Sequence, residues 1–500
     1  MKKTVILSLT LLYSFFTHST SVDTGAKHDW VVASDPSKQK SENEFDVIVV
    51  GSGVGGLSCA SLLSSKGYKV LVLEKHSEIG GFFTSYMRDG FMCDTGAEDV
   101  SGVHKLGATT NFLKMIGLNS DEVFTQHSRT YIIGDKEIVT TGQKNNSIQQ
   151  ITKHYPHEAQ AIQAFFDEGQ KAYEEFVTSK FNPSVPCPTY LQWKSVTYQQ
   201  KLDEFFSDNE LKELFCALLP HIDLSADKAT ASLALLACLQ YYIYGGCYPK
   251  GGPIQFVNTL QKIIEKNDGT VLTSCGADTI LVNNGQVSGV QAGDKIFFSP
   301  IVVSNANAKT TFLKLVPEGA IDPEFINAID ALELSFSAVQ VILGVDMDLS
   351  HLSSKIRVVD QDKECFLVIT SNIDPHAAPQ GKAVLTSYVD AMYKETPQPG
   401  TPAYAQFKKE KLQASLKKIE SVIPGISKHV VFTEILTPRS FERFTGMPQG
   451  AIYTFDQSIR RPYFKTPLKG LYLSSASTEG CGIEAVIVAG MICAGDITRK

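Results

Sequence analysis

The sequence predicts an α/β protein built on a buried parallel sheet, with a helical region and an antiparallel-sheet region inserted into it. Three observations carry this. Residues 46–81 read as strand, glycine-rich turn, helix and strand. Residues 470–497 close the chain with a strand, a second glycine-rich turn and an apolar helix. Between them lie a long stretch of helical periodicity and a later one of alternating periodicity.

The opening unit is the most informative. Asp46–Val50 is apolar and β-branched, as in a parallel strand covered on both faces. It runs into Gly51-Ser52-Gly53-Val54-Gly55-Gly56, followed by a helical pattern over Leu57–Ser65 that Gly67 ends. Tyr68–Leu73 reads as a second strand closing on Glu74. Each part suits a dinucleotide. Gly51 permits the tight turn, Gly53 lets backbone approach a pyrophosphate, and Gly56 allows close helix–strand packing. The helix N-terminus offers N–H groups to phosphate, and Glu74 stands where a carboxylate accepts from a ribose 2′-OH. An acid there disfavours a 2′-phosphate, and hence NADP.

Helical patterns dominate residues 105–245, at Thr109–Ile116, Pro156–Phe176, Tyr198–Leu219 and Lys228–Tyr244. This block is read as one wall of a substrate cavity. Its aromatics, Phe165, Phe166, Tyr173, Phe176, Phe205, Phe206, Tyr241, Tyr242 and Tyr244, suit either a core or an apolar tunnel. Gly252-Pro253 opens a helix over Ile254–Lys266. A strand at 269–273, a hairpin over 278–290 turning at Asn284-Gly285, and a buried strand at Ile301–Ala306 return the chain to the first domain. Ser335–Asp346, Cys365–Thr370 and Ala383–Asp390 alternate like antiparallel strands, and Thr401–Ile423 is an amphipathic helix with a solvated lysine face. Gly470–Ser474 is the last strand, and Gly480-Cys481-Gly482-Ile483-Glu484 opens the helix Ala485–Ile497.

The implied organisation is a signal peptide or anchor (1–21), a linker (22–44), and nucleotide-binding parts at 45–104, 246–310 and 441–500. The substrate-facing parts are 105–245 and 311–440. The N-terminus has Met1-Lys2-Lys3, a twelve-residue apolar core at Val5–Phe16, and small residues at Ser19–Ser21. It places the protein outside the cytoplasm or tethered to a membrane, with peripheral membrane contact. A net charge of −7 without a basic run argues against nucleic acid. Ten cysteines without CxxC pairs read as isolated core thiols, and no metal-ligand spacing stands out. His104, His127, His154 and His157 are scattered and read as surface residues.

Beyond these local signals, Glu74-Lys75-His76 before Gly80-Gly81, Asp94-Thr95-Gly96, Tyr248–Pro253, Val303–Ala306 and Gly470–Gly495 recur in a known order. It resembles that of the phytoene desaturase-like flavoproteins, a group of two-dinucleotide-binding-domain proteins that includes carotenoid isomerases and retinol reductases. The resemblance implies FAD as cofactor, held by Gly51, Ser52, Gly53, Gly55, Gly56, Glu74, Lys75, Gly80 and Gly81. It also implies backbone near Ala277 and Asp278 against the adenine, and Gly482, Ile483 and Glu484 at the flavin's pyrimidine edge. Hydride exchange at flavin N5 with a long apolar, polyene-like substrate is then expected, needing no metal and no side-chain nucleophile. Glu484 reads either as a ribityl contact or as a helix-start carboxylate. One of Arg439, Arg443, Arg460 and Arg461 is a candidate to help hold FAD. The chain departs from retinol reductases at Ala97-Glu98-Asp99-Val100, which sets two carboxylates at the cavity's edge. Two alternatives share the fold. One is a flavin amine oxidase, against which the absence of a tryptophan near the closing motif counts. The other is a non-catalytic carrier of prenyl or lipid groups.

Overall fold

A computed structural model describes residues 42–499, apart from 97–98, 361–363, 458 and 460. The N-terminal segment read as a signal, and all but the end of the linker, lie outside the described residues.

Strand β1 (Val47–Val50), helix α1 (Val54–Ser64) and strand β2 (Val70–Leu73) form the opening unit. Every residue of all three is buried. The helix is therefore no surface helix: it packs between the closing helix Ile483–Thr498 and the helix Pro253–Lys266. Small residues permit that approach, since a Cβ on Gly490 would lie 2.7 Å from the Ser58 Cβ and 2.9 Å from the Gly55 carbonyl oxygen. Ser61 and Ser64 return their hydroxyls to the carbonyls of Ser58 and Ser61.

The parallel sheet runs Thr270–Leu272, β2, β1, Val302–Ser304, Leu471–Leu473. In chain order this is 3-2-1-4-5, the doubly wound arrangement. Its order reverses between β1 and Val302–Ser304, where a crevice opens at the carboxyl ends of the strands. A separate antiparallel sheet follows the anticipated hairpin, with Asn284 (φ +50°) and Gly285 (φ +75°) at the turn. Its third strand, Lys295–Phe298, was not foreseen: four residues of Lys-Ile-Phe-Phe, of which only Phe297 is buried, show no alternation of apolar and polar positions.

The larger correction concerns 105–245, which is not purely helical. Arg129–Ile133 and Lys136–Thr140 form a hairpin at its heart. Arg129–Ile133 pairs in parallel with Lys355–Val358, so the two inserted segments share one seven-stranded sheet. Each strand has only five residues, too short for its alternation to stand out beside the helices around it. The helices form a layer whose core is Phe165, Phe166, Trp193, Phe206, Phe215 and Tyr242.

The lysine-bearing helix is Pro402–Glu420, and its lysine face is only partly solvated. Lys408, Lys411 and Lys418 are half-buried, and Lys411 donates to the Asp390 carbonyl. All ten cysteines are unpaired. No helix among the described residues is long and apolar enough to cross a membrane.

Candidate functional site

The crevice opens into a cavity of about 1730 Å³ that runs from the glycine loop to the seven-stranded sheet. Pockets for one small molecule commonly measure about 300–1,000 Å³, so this one has room for a dinucleotide and a second molecule.

At the loop, Gly51 adopts φ +96°. The Ser52 N–H and hydroxyl both donate to Glu74 Oε2, at 2.9 and 2.5 Å, and the His76 N–H donates to Oε1 at 2.9 Å. The buried Glu74 carboxylate thus ties the turn after β1 to the end of β2. Added Cβ atoms would meet the Asn305 Oδ1 at 2.5 Å from Gly53, the Ser474 carbonyl at 2.7 Å from Gly55, and the Gly51 carbonyl at 2.5 Å from Gly56. Asn305 itself donates to the Ser474 carbonyl at 2.6 Å, bridging the fourth and fifth strands of the sheet.

Gly51, Ser52, Gly53, Gly55, Glu74, Lys75, Gly80, Gly81, Ala277, Gly482, Ile483 and Glu484 all line the cavity; Gly56 and Asp278 do not. Gly56 is a packing position. Asp278 turns away: its carboxylate accepts from the Gly293 N–H at 2.6 Å, and its own N–H donates to the Gln291 carbonyl. What the cavity meets there is Gly276 and Ala277. Lys75 lines the cavity, and desolvation lowers its pKa against the opposing pull of Glu74.

At the far end Gly482 (φ +94°) caps the closing helix without a side-chain partner, leaving first-turn N–H groups at the cavity. Of the four arginines considered, Arg461 lines the cavity. It donates to Gln457 Oε1 at 2.6 Å, and burial lowers its pKa. Arg439 stacks on Tyr393 at 3.9 Å and Arg443 lies over Phe444, while Arg460 falls outside the described residues. Glu484 is half-buried, accepting from the hydroxyls of Ser101 (2.8 Å) and Tyr173 (3.1 Å). Burial raises its pKa against those hydrogen bonds.

Two histidines are not surface residues. His104 lies flat on Tyr244 at 3.8 Å, and burial lowers its pKa to about 4. His127 is buried against Asp99, with Nε2 2.9 Å from Oδ1. Asp99 also binds Arg129 and, at 3.2 Å, Lys355. Burial alone would raise the Asp99 pKa, but Lys355, His127 and Arg129 hold it far below the usual carboxylate range. Burial lowers the His127 pKa, so its imidazole meets Asp99 as a neutral hydrogen-bond partner. The Asp99 carboxylate expected at the cavity's edge does line the cavity, as the centre of an ion-paired cluster. Arg129 and Lys355 were overlooked; the available signal was a basic residue at the head of each apolar strand.

The wall is aliphatic more than aromatic. A π-helical turn, Leu235–Leu239, adjusts the register so that Leu233, Leu236, Ala237 and Tyr241 face the cavity. Of the nine aromatics singled out, only Phe176 and Tyr241 line it; the others are core or lie behind the wall. Opposite stand Ala338, Phe366, Tyr388 and Ile435 of the sheet. Gln340 and Tyr388 bind the backbone of Asp94 and Gly96, locking the Asp94-Thr95-Gly96 motif to that sheet.

A glycine cradle at a switch point, an acid at the second strand's end and a second open helix N-terminus define a dinucleotide-dependent oxidoreductase. Residues 54–498 match the flavin containing amine oxidoreductases, and the chain belongs to that family, with FAD as its cofactor. The chain is 25% identical to the chloroplastic prolycopene isomerase of Daucus carota, over 90% of this chain and 79% of that one. It is 23% identical to the all-trans-retinol 13,14-reductase of Danio rerio, over 91% and 86%. The crystal structure of an oxidoreductase from Methanosarcina mazei superposes with a TM-score of 0.66 at 18% identity, covering 91% of this chain and all of that one.

Proposed function

We propose that the protein acts on carbon–carbon bonds of a long apolar polyene, by saturation, desaturation or isomerisation. The observation that carries this is one continuous cavity whose inner end is the dinucleotide cradle and whose outer walls are Leu233, Leu236, Ala237, Ala338, Phe366 and Ile435. Bound FAD supplies hydride exchange. The chain's own part is to hold the substrate along these walls and to exclude water. The names of the relatives, an isomerase and a reductase of polyenes, support the substrate class. The N-terminal segment supports an exported or tethered protein that meets its substrate at a membrane surface.

The test is spectroscopic. Purified protein should be yellow, bleach under anaerobic dithionite, and change its flavin spectrum with carotenoids or retinoids. Bleaching by simple amines, with no response to any polyene, would overturn the reading. A colourless folded protein that refuses FAD would point to a carrier.

A further inference from the structure

Adding hydrogen across a C=C bond takes one hydride and one proton, and removing it gives up both. The reduced or oxidised flavin accounts for the hydride; the proton needs a source within the cavity that is itself connected to solvent. Glu484 lines the cavity at the first turn of the closing helix, and among the described residues it makes no ion pair. It is faced by Ser101, Tyr173, the Ala108 N–H, Gln240 and, more distantly, Tyr241.

One hydrogen-bonded line leads away from it. The Tyr173 hydroxyl is 3.1 Å from Glu484 Oε1 and 3.3 Å from His104 Nε2. Neither Tyr173 nor His104 lines the cavity. His104 is half-buried beside exposed Lys105, so the line runs from the cavity outwards. Tyr244, on which the His104 ring stacks, is held by Glu174 at 3.2 Å, which fixes the imidazole's tilt.

We propose that Glu484 exchanges the proton with the substrate carbon, and that Tyr173 and His104 carry it between Glu484 and solvent. The proposal rests on the polyene reading for its substrate. In saturation the Glu484 O–H bond breaks as a C–H bond forms at the carbon next to the one receiving hydride. In one concerted shift the carboxylate takes the Tyr173 proton, Tyr173 takes the His104 Nε2 proton and His104 takes one from water at Nδ1, after which exchange of the ring protons with water restores the Nε2–H tautomer. Desaturation reverses each transfer. In isomerisation Glu484 lends a proton and recovers it, with no net change. A histidine kept neutral by burial both donates and accepts, as the relay requires.

The test uses the flavin-loaded full-length protein. Infrared spectroscopy should show a protonated carboxyl band absent from Glu484→Gln, and this band should shift within the mixing time on transfer to D2O. Tyr173→Phe and His104→Phe should keep the flavin spectrum but slow that shift at least about tenfold. Glu484→Gln should lose about 10²-fold or more in turnover with flavin retained. Exchange in Tyr173→Phe at the wild-type rate, or normal turnover by Glu484→Gln, overturns the relay. If exchange behaves as stated and no polyene is converted, the substrate reading fails and the relay stands.

Discussion

Asp99 sits among Arg129, Lys355 and His127, so removing its charge takes a shared anion away from two buried cations. Breaking a buried pair in this way costs about 3–5 kcal/mol. Asp99→Asn should lower the denaturant midpoint accordingly, and Asp99→Asn with Lys355→Met should recover part of the loss. Because the Asp99 pKa is depressed, its stabilisation is present above the ordinary carboxylate range and lost as pH falls below it. Glu484 has the opposite sign. Its raised pKa means that its contribution is full below the ordinary glutamate range and is lost as pH climbs through the folded value. Glu484→Gln should therefore raise Tm relative to wild type at pH 8 and change it little at pH 4, checked by thermal melts across pH. At this scale the glycine loop and Glu74 were legible, because their geometry is local. The partners of Asp99 were not: His127 and Arg129 reach it through a hairpin, and Lys355 through the sheet.

Among the elements, the helical layer separates two kinds of apolar residue that periodicity cannot tell apart. Phe165 is fully buried amid Phe206, Phe215 and Trp193, and away from the cavity. Phe165→Ala should cost about 3–5 kcal/mol while leaving ligand-induced spectral changes intact in the folded protein. Leu236, on the π turn, faces the cavity. Leu236→Trp should leave the flavin spectrum and Tm close to wild type and weaken binding of long polyenes at least tenfold, measured by spectral titration. The strands of the parallel sheet and the helices Ala108–Met115, Ala159–Phe181 and Pro253–Lys266 were legible to within a few residues, whereas Lys144–His154, Pro188–Ser195, Pro323–Asp330 and Pro438–Thr445 were not. Arg129–Ile133 and Lys136–Thr140 were not, since a strand that joins a sheet begun much later in the chain carries no local mark of it.

Taken as a whole, the molecule places its cofactor cradle where three distant stretches of sequence meet: β1 to β2, Thr270–Ser304, and Leu471 onwards. A ligand bound there stabilises all three at once. Added FAD at about 100 times its Kd should raise unfolding stability by about 2.7 kcal/mol, read as a concentration-dependent Tm. The fifth strand, Leu471–Leu473, and the turn at Gly482 come later in the chain than every strand of the seven-stranded sheet and every helix of the helical layer. A nascent chain can assemble its helical layer and seven-stranded sheet while this seam stays open. Flavin capture therefore follows assembly of both inserted regions, and a chain stopped after Lys469 should emerge compact yet colourless. The order of synthesis thus acts as a quality check, since colour marks only those chains extended past Gly482.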